Sequence, residues 1–381
     1  MAEADRVRLS YIKEVTWGTH PGTTMTVTRY ASESLKQTTS TSESPEIGSR
    51  RTKDVARSNI QADGSTNCIF SATTFDEWLR SCLCADADWT TQTIATDNTI
   101  AATAGTNTWT GTGEYSGVSV GDIVQGTGWT DALNNKAGVI LTNADANTIT
   151  VSNALATESA GAGKGMKFAS QITDGSTAHS FGLEKEFQDI ASLFQEFSGA
   201  MITGVNFAAD TGGDGLVACN WNWLAKSMTL PSSSTGSGYT AANGNKVANI
   251  VDHVENTFEG SASSATSSFQ FDIDNSLRAR QVLGTLGAES IKLGSLKISG
   301  SIARYFASSA LLAKYIAFTE SSLTITIAAT GGTYVFHFPA VQFSDGEALA
   351  GGKDQDVIAR LPFIVKEHST QAKMIRIGRI T

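Results

Sequence analysis

The chain has 381 residues, 40% apolar and 17% charged, with a net charge of −9 and a pI near 5.1. That length exceeds one ordinary core, and abundant glycine with only five prolines suits a turn-rich, mainly β protein of two or three domains, not a disordered or coiled-coil chain. The acidity excludes the basic footprint of a protein that grips nucleic acid, and no run reaches the ~18 apolar residues of a membrane helix.

The start, MAEADRVRLS, has no hydrophobic signal region, so synthesis and folding in a cytosol are expected. An opening strand follows, then the turn TWGTHP and the strand VTRYASESLK (27–36). The run KQTTSTSESPEIGSRRTK (36–53) is rich in Ser and Thr and ill suited to a core, so a long mobile loop is expected. Its reach carries Glu33, Glu43, Glu46 and Asp54 against Lys36, Arg50, Arg51 and Lys53. This mixed charge suits contact with another copy, or else a solvated surface loop.

Residues 67–83, NCIFSATTFDEWLRSCL, read as a strand followed by a helix. Phe75, Trp78, Leu79, Cys82 and Leu83 form one buried stripe, and Thr74 with Glu77 fits a capping box. Cys68, Cys82, Cys84 and Cys219 lack metal spacing and read as reduced, small apolar core residues. Residues 86–175 differ in character. They are rich in Thr, Ala, Gly and Asn, and GDIVQGTGW, AGVILTN and NTITVSNA read as short strands of a small β-barrel or sandwich.

HSFGLEKEF (179–187) and AMITGVNFA (200–208) form a strand pair. In LVACNWNWLAK (216–226), Val217, Cys219, Trp221 and Trp223 alternate with polar or small residues, one face buried and one wet. SMTLPSSSTGSGYTAANGNK (227–246) reads as a flexible linker. The order then repeats. FQFDIDNSLR (269–278) matches 27–36, SGSIARYFASSALLAKYI (299–316) matches the strand–helix step, and SSLTITIAA, GTYVFHFPAVQF and VIARLPFIVKE match the three later strands. Ser308 stands 233 positions after Phe75, and Ser308, Leu311, Leu312, Tyr315 and Ile316 repeat its helical stripe. The expected domains are therefore 1–85 with 176–230, an inserted 86–175, a linker 231–246, and 247–381.

Thr16-Trp17-Gly18-Thr19-His20-Pro21, then Arg29-Tyr30 and Glu33-Ser34-Leu35, resemble the opening of tail tube (major tail) proteins of long, non-contractile-tailed bacteriophages. SFQFDIDNSLRAR is similar to a recurrent strand of that family, and the resemblance spans 1–85 and roughly 176–381. It implies two tandem tail-tube β-sandwich domains, each with one flanking helix, and an inserted decorating β domain. It implies a structural virion protein whose copies form stacked rings, a tube through which DNA is ejected. Two domains per chain imply trimeric, pseudo-six-fold rings. The implied partners are further copies, a tape measure protein, tail tip or terminator proteins, and DNA in non-specific passage, with no membrane anchor. The residues of 31–54 are expected at inter-ring contacts. Glu184, Glu186, Asp272 and Asp274 lie at alternate strand positions and are expected to face the lumen, repelling phosphate, or else to be ordinary surface charge.

No catalytic set, cofactor or metal site is expected. The histidines His20, His179, His253, His337 and His368 are scattered, and His337 reads as a strand residue. Asp252, His253 and Glu255, in a strand-like run, do not converge, and Trp221 and Trp223 read as core or interface and not as a sugar platform. The weighed alternative is a multi-domain β adhesin or surface-layer-like protein using the insert for recognition.

Overall fold

The computed structural model describes residues 3–381 apart from 46, 48, 49, 97, 256, 260, 261, 307, 308, 350, 351 and 354. The chain is mainly β, with two short α-helices among the described residues. Twenty strands hydrogen-bond into one sheet system, and seven more form a second sheet.

The earlier part of the chain supplies β1 (Val7–Lys13), β2 (Ser32–Glu33), β3 (Lys36–Glu43), β4 (Val55–Ile69), α1 (Asp76–Cys82), β5 (Phe181–Phe187), β6 (Phe194–Asp210), β7 (Ala218–Ala225) and β8 (Ser227–Thr229). The later part supplies β9 (Thr257–Glu259), β10 (Thr266–Asp274), β11 (Lys297–Tyr305), α2 (Ala310–Ile316), β12 (Ser321–Ala329), β13 (Gly332–Phe343), β14 (Glu347–Leu349), β15 (Ile358–Val365) and β16 (Arg376–Ile380). The first part pairs in the order β1-β5-β6-β7-β4-β2, with β8 on β6. The second pairs in the order β9-β12-β13-β15-β11-β10, with β16 on β13. Each long strand, β6 and β13, contributes to two layers, and β14 carries on along β15 where β13 stops.

The two parts share a core because the alternation of each strand points one row of side chains inward. Phe207 and Phe271 stack at 5.0 Å, and Phe336 of β13 lies 5.1 Å and 5.4 Å from them. Beside them the α1 stripe is buried as its spacing predicts. Trp78 lies 4.9 Å from Trp223, 5.5 Å from Trp221 and 5.3 Å from Tyr11. Both strand tryptophans are core residues. All four cysteines are free and buried, and burial pushes the Cys68 thiol up to about 12.

Several expectations need correction. The run 36–53 is not a mobile loop at its start: Lys36–Glu43 pairs with β4 through Glu43–Val55, forming a projecting arm. Its Ser and Thr residues tolerate extended backbone without offering an apolar face, which hides the strand. At Gly64, φ is +153° and a Cβ would meet the Leu35 backbone at 2.6 Å, so only glycine lets β4 pass the step between β2 and β3. The predicted capping box is absent. No side chain caps α1, and Thr74 Oγ1 engages Ser71 and Asn243 instead.

The helix offset is 234, not 233. Leu83 and Ala317 close the two helices alike, and Cys84 and Phe318 follow with φ of +49° and +51°. Ser308 lies outside the described residues. In the run 250–255, residues 250–253 are turn, bounded by the single bridges Asn249–Leu216 and Val254–Ile327, with Asn249 Oδ1 accepting from Val251 N and Asp252 N.

The segment 227–246 is pinned rather than free. Tyr239–Thr240 pairs with Met25–Val27, and Asn243 and Asn245 each donate to the Ala72 carbonyl. The seven-stranded sheet, between Thr93 and Phe168, has its own core around Trp109, Trp129, Tyr115, Ile140 and Met166. It arises next to α1 yet packs on the later strands. Ile123, Val139 and Ala169 meet Val335 and Ile380, and Ser170–Thr173 pairs with β16. His337 is therefore buried, bonded to Thr324 Oγ1 at 3.0 Å.

Candidate assembly surfaces

Three surfaces bring the predicted residues together or apart. The first is the junction between the two parts of the chain. β6 pairs with β10 over seven residues, from Gly204–Asp274 to Asp210–Ser268. This ladder makes one continuous sheet from β2 to β14. At its ends, β2 pairs only with β4 and β14 only with β15 among the described residues. Each outer edge is a row of backbone donors and acceptors open to another strand.

Around this junction α1 is seated against the later part. Asp76 accepts from the Tyr334 hydroxyl and pairs with Arg379, and Asn275 donates to the Cys82 carbonyl at 2.7 Å. Burial pushes the Asp76 carboxyl up, against the pull of Tyr334 and Arg379. Arg376 likewise pairs with Asp122 of the insert.

The second surface is the face of that sheet turned away from the core. Ser32, Asn67, Asn220, Asn206, Asp272, Ser299 and Ile364 stand directly opposite one another in successive strands. The row is half-buried or exposed, carries one carboxylate and has no lysine or arginine. Asn206 Nδ2 donates to Asp272 Oδ1 at 2.7 Å and Asn67 Nδ2 to Ser32 Oγ at 2.8 Å. Asp274 is exposed on the same face and accepts from Ser276 N. A cleft of about 650 Å³ opens beyond this row, lined by Asp210, Asp214, Asp345, Glu347 and Arg360 among others.

Glu184 and Glu186 do not join this face. Glu184 is fully buried and accepts bonds from Ser234, Thr235 and the Tyr239 hydroxyl, all from the pinned segment. A carboxylate with that set of donors is a structural knot and faces no lumen. Glu186 is half-buried and paired with Arg8. The alternate spacing of the two gave no sign of this, because the donors lie about 50 residues away.

The third surface is the arm. Glu33 sits at its root, bonded to Lys185 at 2.9 Å and to Leu35 N. Lys36 opposes Asp63, Glu43 accepts from Thr52, and Asp54 accepts from Val55 N. Arg50, Arg51 and Lys53 are exposed near the tip, and Glu46 lies outside the described residues. The tip also presents Ile47, which is exposed.

Among the described residues no group of three or more His, Cys, Asp or Glu could hold a metal ion, and no helix is long and apolar enough to cross a membrane. The surfaces above suit pairing with other chains. The family described as phage tail tube protein matches residues 4–365.

The chain belongs to that family.

It is a family of structural proteins of the phage tail, not an enzyme class, and does not favour the adhesin alternative. No curated protein matches the chain. Among solved structures, the phage phi92 endosialidase is similar over 89% of this chain and 58% of its own length, at 9% identity. The TM-score of 0.17 is too low for that likeness to carry an argument.

Proposed function

We propose that this chain is the repeating unit of a tail tube in which each part of the chain fills one sector, so that three chains close a pseudo-six-fold ring. The β6–β10 ladder carries this reading. It joins two units of like strand order edge to edge and leaves one open edge at each end, β2 and β14. The matched orders support a duplicated sandwich with 86–175 inserted in the first copy. A head-to-tail contact whose rotation closes uses both edges and leaves none exposed.

Stacked rings form the tube, and DNA leaves through it. The polar row from Ser32 to Ile364, with Asp272 its one charge, turns to the lumen and offers phosphate no cationic grip, and beside it Asp274 stands opposite Lys297. The arm serves contacts between rings. A two-stranded hairpin with both faces wet is marginal alone. The hairpin Arg278–Arg280 with Ser290–Lys292 follows β10 as the arm follows β2, and its Ala288 and Ile291 pack on Met201 and Leu224 of the other part. That packing within one chain supports the arm reaching a neighbouring copy. The tail is of the long, non-contractile kind. The chain folds in the host cytoplasm and meets tape measure and tail tip or terminator proteins there.

Electron microscopy of the purified protein tests the reading. Class averages down the axis are expected to show three-fold rings with six similar sectors. Six-fold rings with six chains, or particles that never associate even on a tail-tip template, would sink it.

A further inference from the structure

The two helices end alike but are covered differently. Cys82 and Cys84 of the first are 0% and 5% exposed, while their counterparts Ile316 and Phe318 are 79% and 70% exposed. At the same offset Ala72 is buried and Phe306 is 40% exposed, and Ser71 is buried and Tyr305 is 46% exposed. Four large apolar side chains thus stand in water where the matching positions hold small covered ones. The seat over α1 is built by later residues of the same chain: Asn275 on the Cys82 carbonyl, Asn243 and Asn245 on Ala72, and Tyr334 and Arg379 on Asp76. Among the described residues no such seat is present over α2.

We infer that α2 and its flanks, through Tyr305, Phe306, Ile316 and Phe318, dock on the first part of a second copy of this chain. The inference rests on the ring reading and deepens it. The occupant follows from the internal junction: if the first part of the chain sits before the second as the second sits before the first of the next copy, the seat for α2 lies around β6 and β8. The same bulge interrupts both strand pairs, between Phe181–Ala200 and Leu183–Phe197 and between Ser321–Val341 and Leu323–Phe338, so Phe197 matches Phe338, Met228 corresponds to Ile375 and Leu230 to Ile377. Leu230 is 63% exposed. Ala310 replaces Asp76 at the matching place on α2. With Ala310 at the Asp76 position, the Asp76–Arg379 ion pair has no counterpart on α2, and Leu230, exposed where the matching Ile377 is buried in the core, offers an apolar contact instead.

The patch is also continuous with the open β14 edge. A Cβ at Gly346 would touch Tyr315 and Leu312, so α2 rests against the residue just before β14. Lys314, paired with Glu259, fixes the inner side of the helix and leaves the apolar side outward. A docked copy gains both the strand ladder and the burial of this patch.

Hydroxyl-radical footprinting of the wild-type chain, before and after assembly, tests this. Labelling of Tyr305, Phe306 and Phe318 is expected to fall several-fold on assembly. In parallel, Phe318→Glu and Leu230→Glu are each expected to raise the concentration needed for assembly at least tenfold. Their thermal transitions should stay unchanged, since both side chains are exposed in the single chain. Rings that form while these residues stay fully labelled overturn the α2 inference and leave the ring reading standing. Assembly undisturbed by both variants does the same. A wild-type chain that never assembles overturns both.

Discussion

The helices α1 and α2 follow matching strands and end in matching turns, yet only the first is sealed. Around α1 lie Trp78, Trp221, Trp223 and Tyr11 in mutual edge contacts, with Asp76 tied to β16. Around α2, Leu312 and Tyr315 are half-buried and Ile316 is in water. Burial thus follows a helix's place in the chain more than its own sequence. The earlier part of the chain has the later part beside it, and the later part has an open flank among the described residues.

The contrast can be broken most directly at the helix centres. Trp78→Ala is expected to cost about 4 kcal/mol of unfolding free energy, and Leu312→Ala at the matching position about 1 kcal/mol, both read from urea denaturation. Equal losses would mean that α2 is as enclosed as α1. Replacing 93–168 by a short glycine-serine bridge, with 170–173 kept, should expose Val335 and Ile380 and remove the Asp122–Arg376 pair. A loss of about 3 kcal/mol is expected, with ring formation preserved in electron micrographs. A folded variant that no longer forms rings would make the insert an assembly element.

Asp76→Asn should cost about 2 kcal/mol by leaving Arg379 without its charge partner. Adding Arg379→Leu is expected to recover part of that loss, and purely additive losses would show that the two side chains are not coupled.

The pH dependence is smaller. Burial, Arg376 and His368 hold the His337 imidazole down at about 3. The folded chain keeps it neutral while the unfolded chain takes up a proton below about 6.5. Stability contributed by His337 is therefore full above pH 6.5 and lost on acidification toward 3, by at most about 1.4 kcal/mol per pH unit. His337→Gln should flatten that slope, and an unchanged slope would assign it to other groups. Smallest of all, trimming the arm from 41 to 57 should leave the thermal transition of the single chain nearly unmoved while weakening ring stacking. Equal loss of both would place the arm in the core.

Much of this architecture was legible in the residues. The alternation of Val217, Cys219, Trp221 and Trp223 specified β7 and its buried face, and the Phe75–Leu83 spacing specified the α1 stripe. Side-chain size and period decide such features locally. Glu184 was misread because its donors, Ser234, Thr235 and Tyr239, come from a segment whose composition looked unstructured. The α2 register slipped by one because that helix is apolar on its exposed side as well, so two stripes competed. The seating of the insert on β13 and β16 was invisible for a simpler reason. Ile123 and Val139 are ordinary strand residues, and nothing local says which sheet they will meet.

The insert leaves the chain beside α1 and comes to rest on β13 and β16, crossing from the earlier part of the chain to the later one. It works as a rivet. In the proposed ring of three chains the seams would alternate: three riveted and closed by the Asp76–Arg379 pair, and three held by a strand edge and the proposed apolar patch. Mechanical load on a tube of such rings would concentrate at the unriveted three, and the ring would yield as a triangle of stiff double sectors.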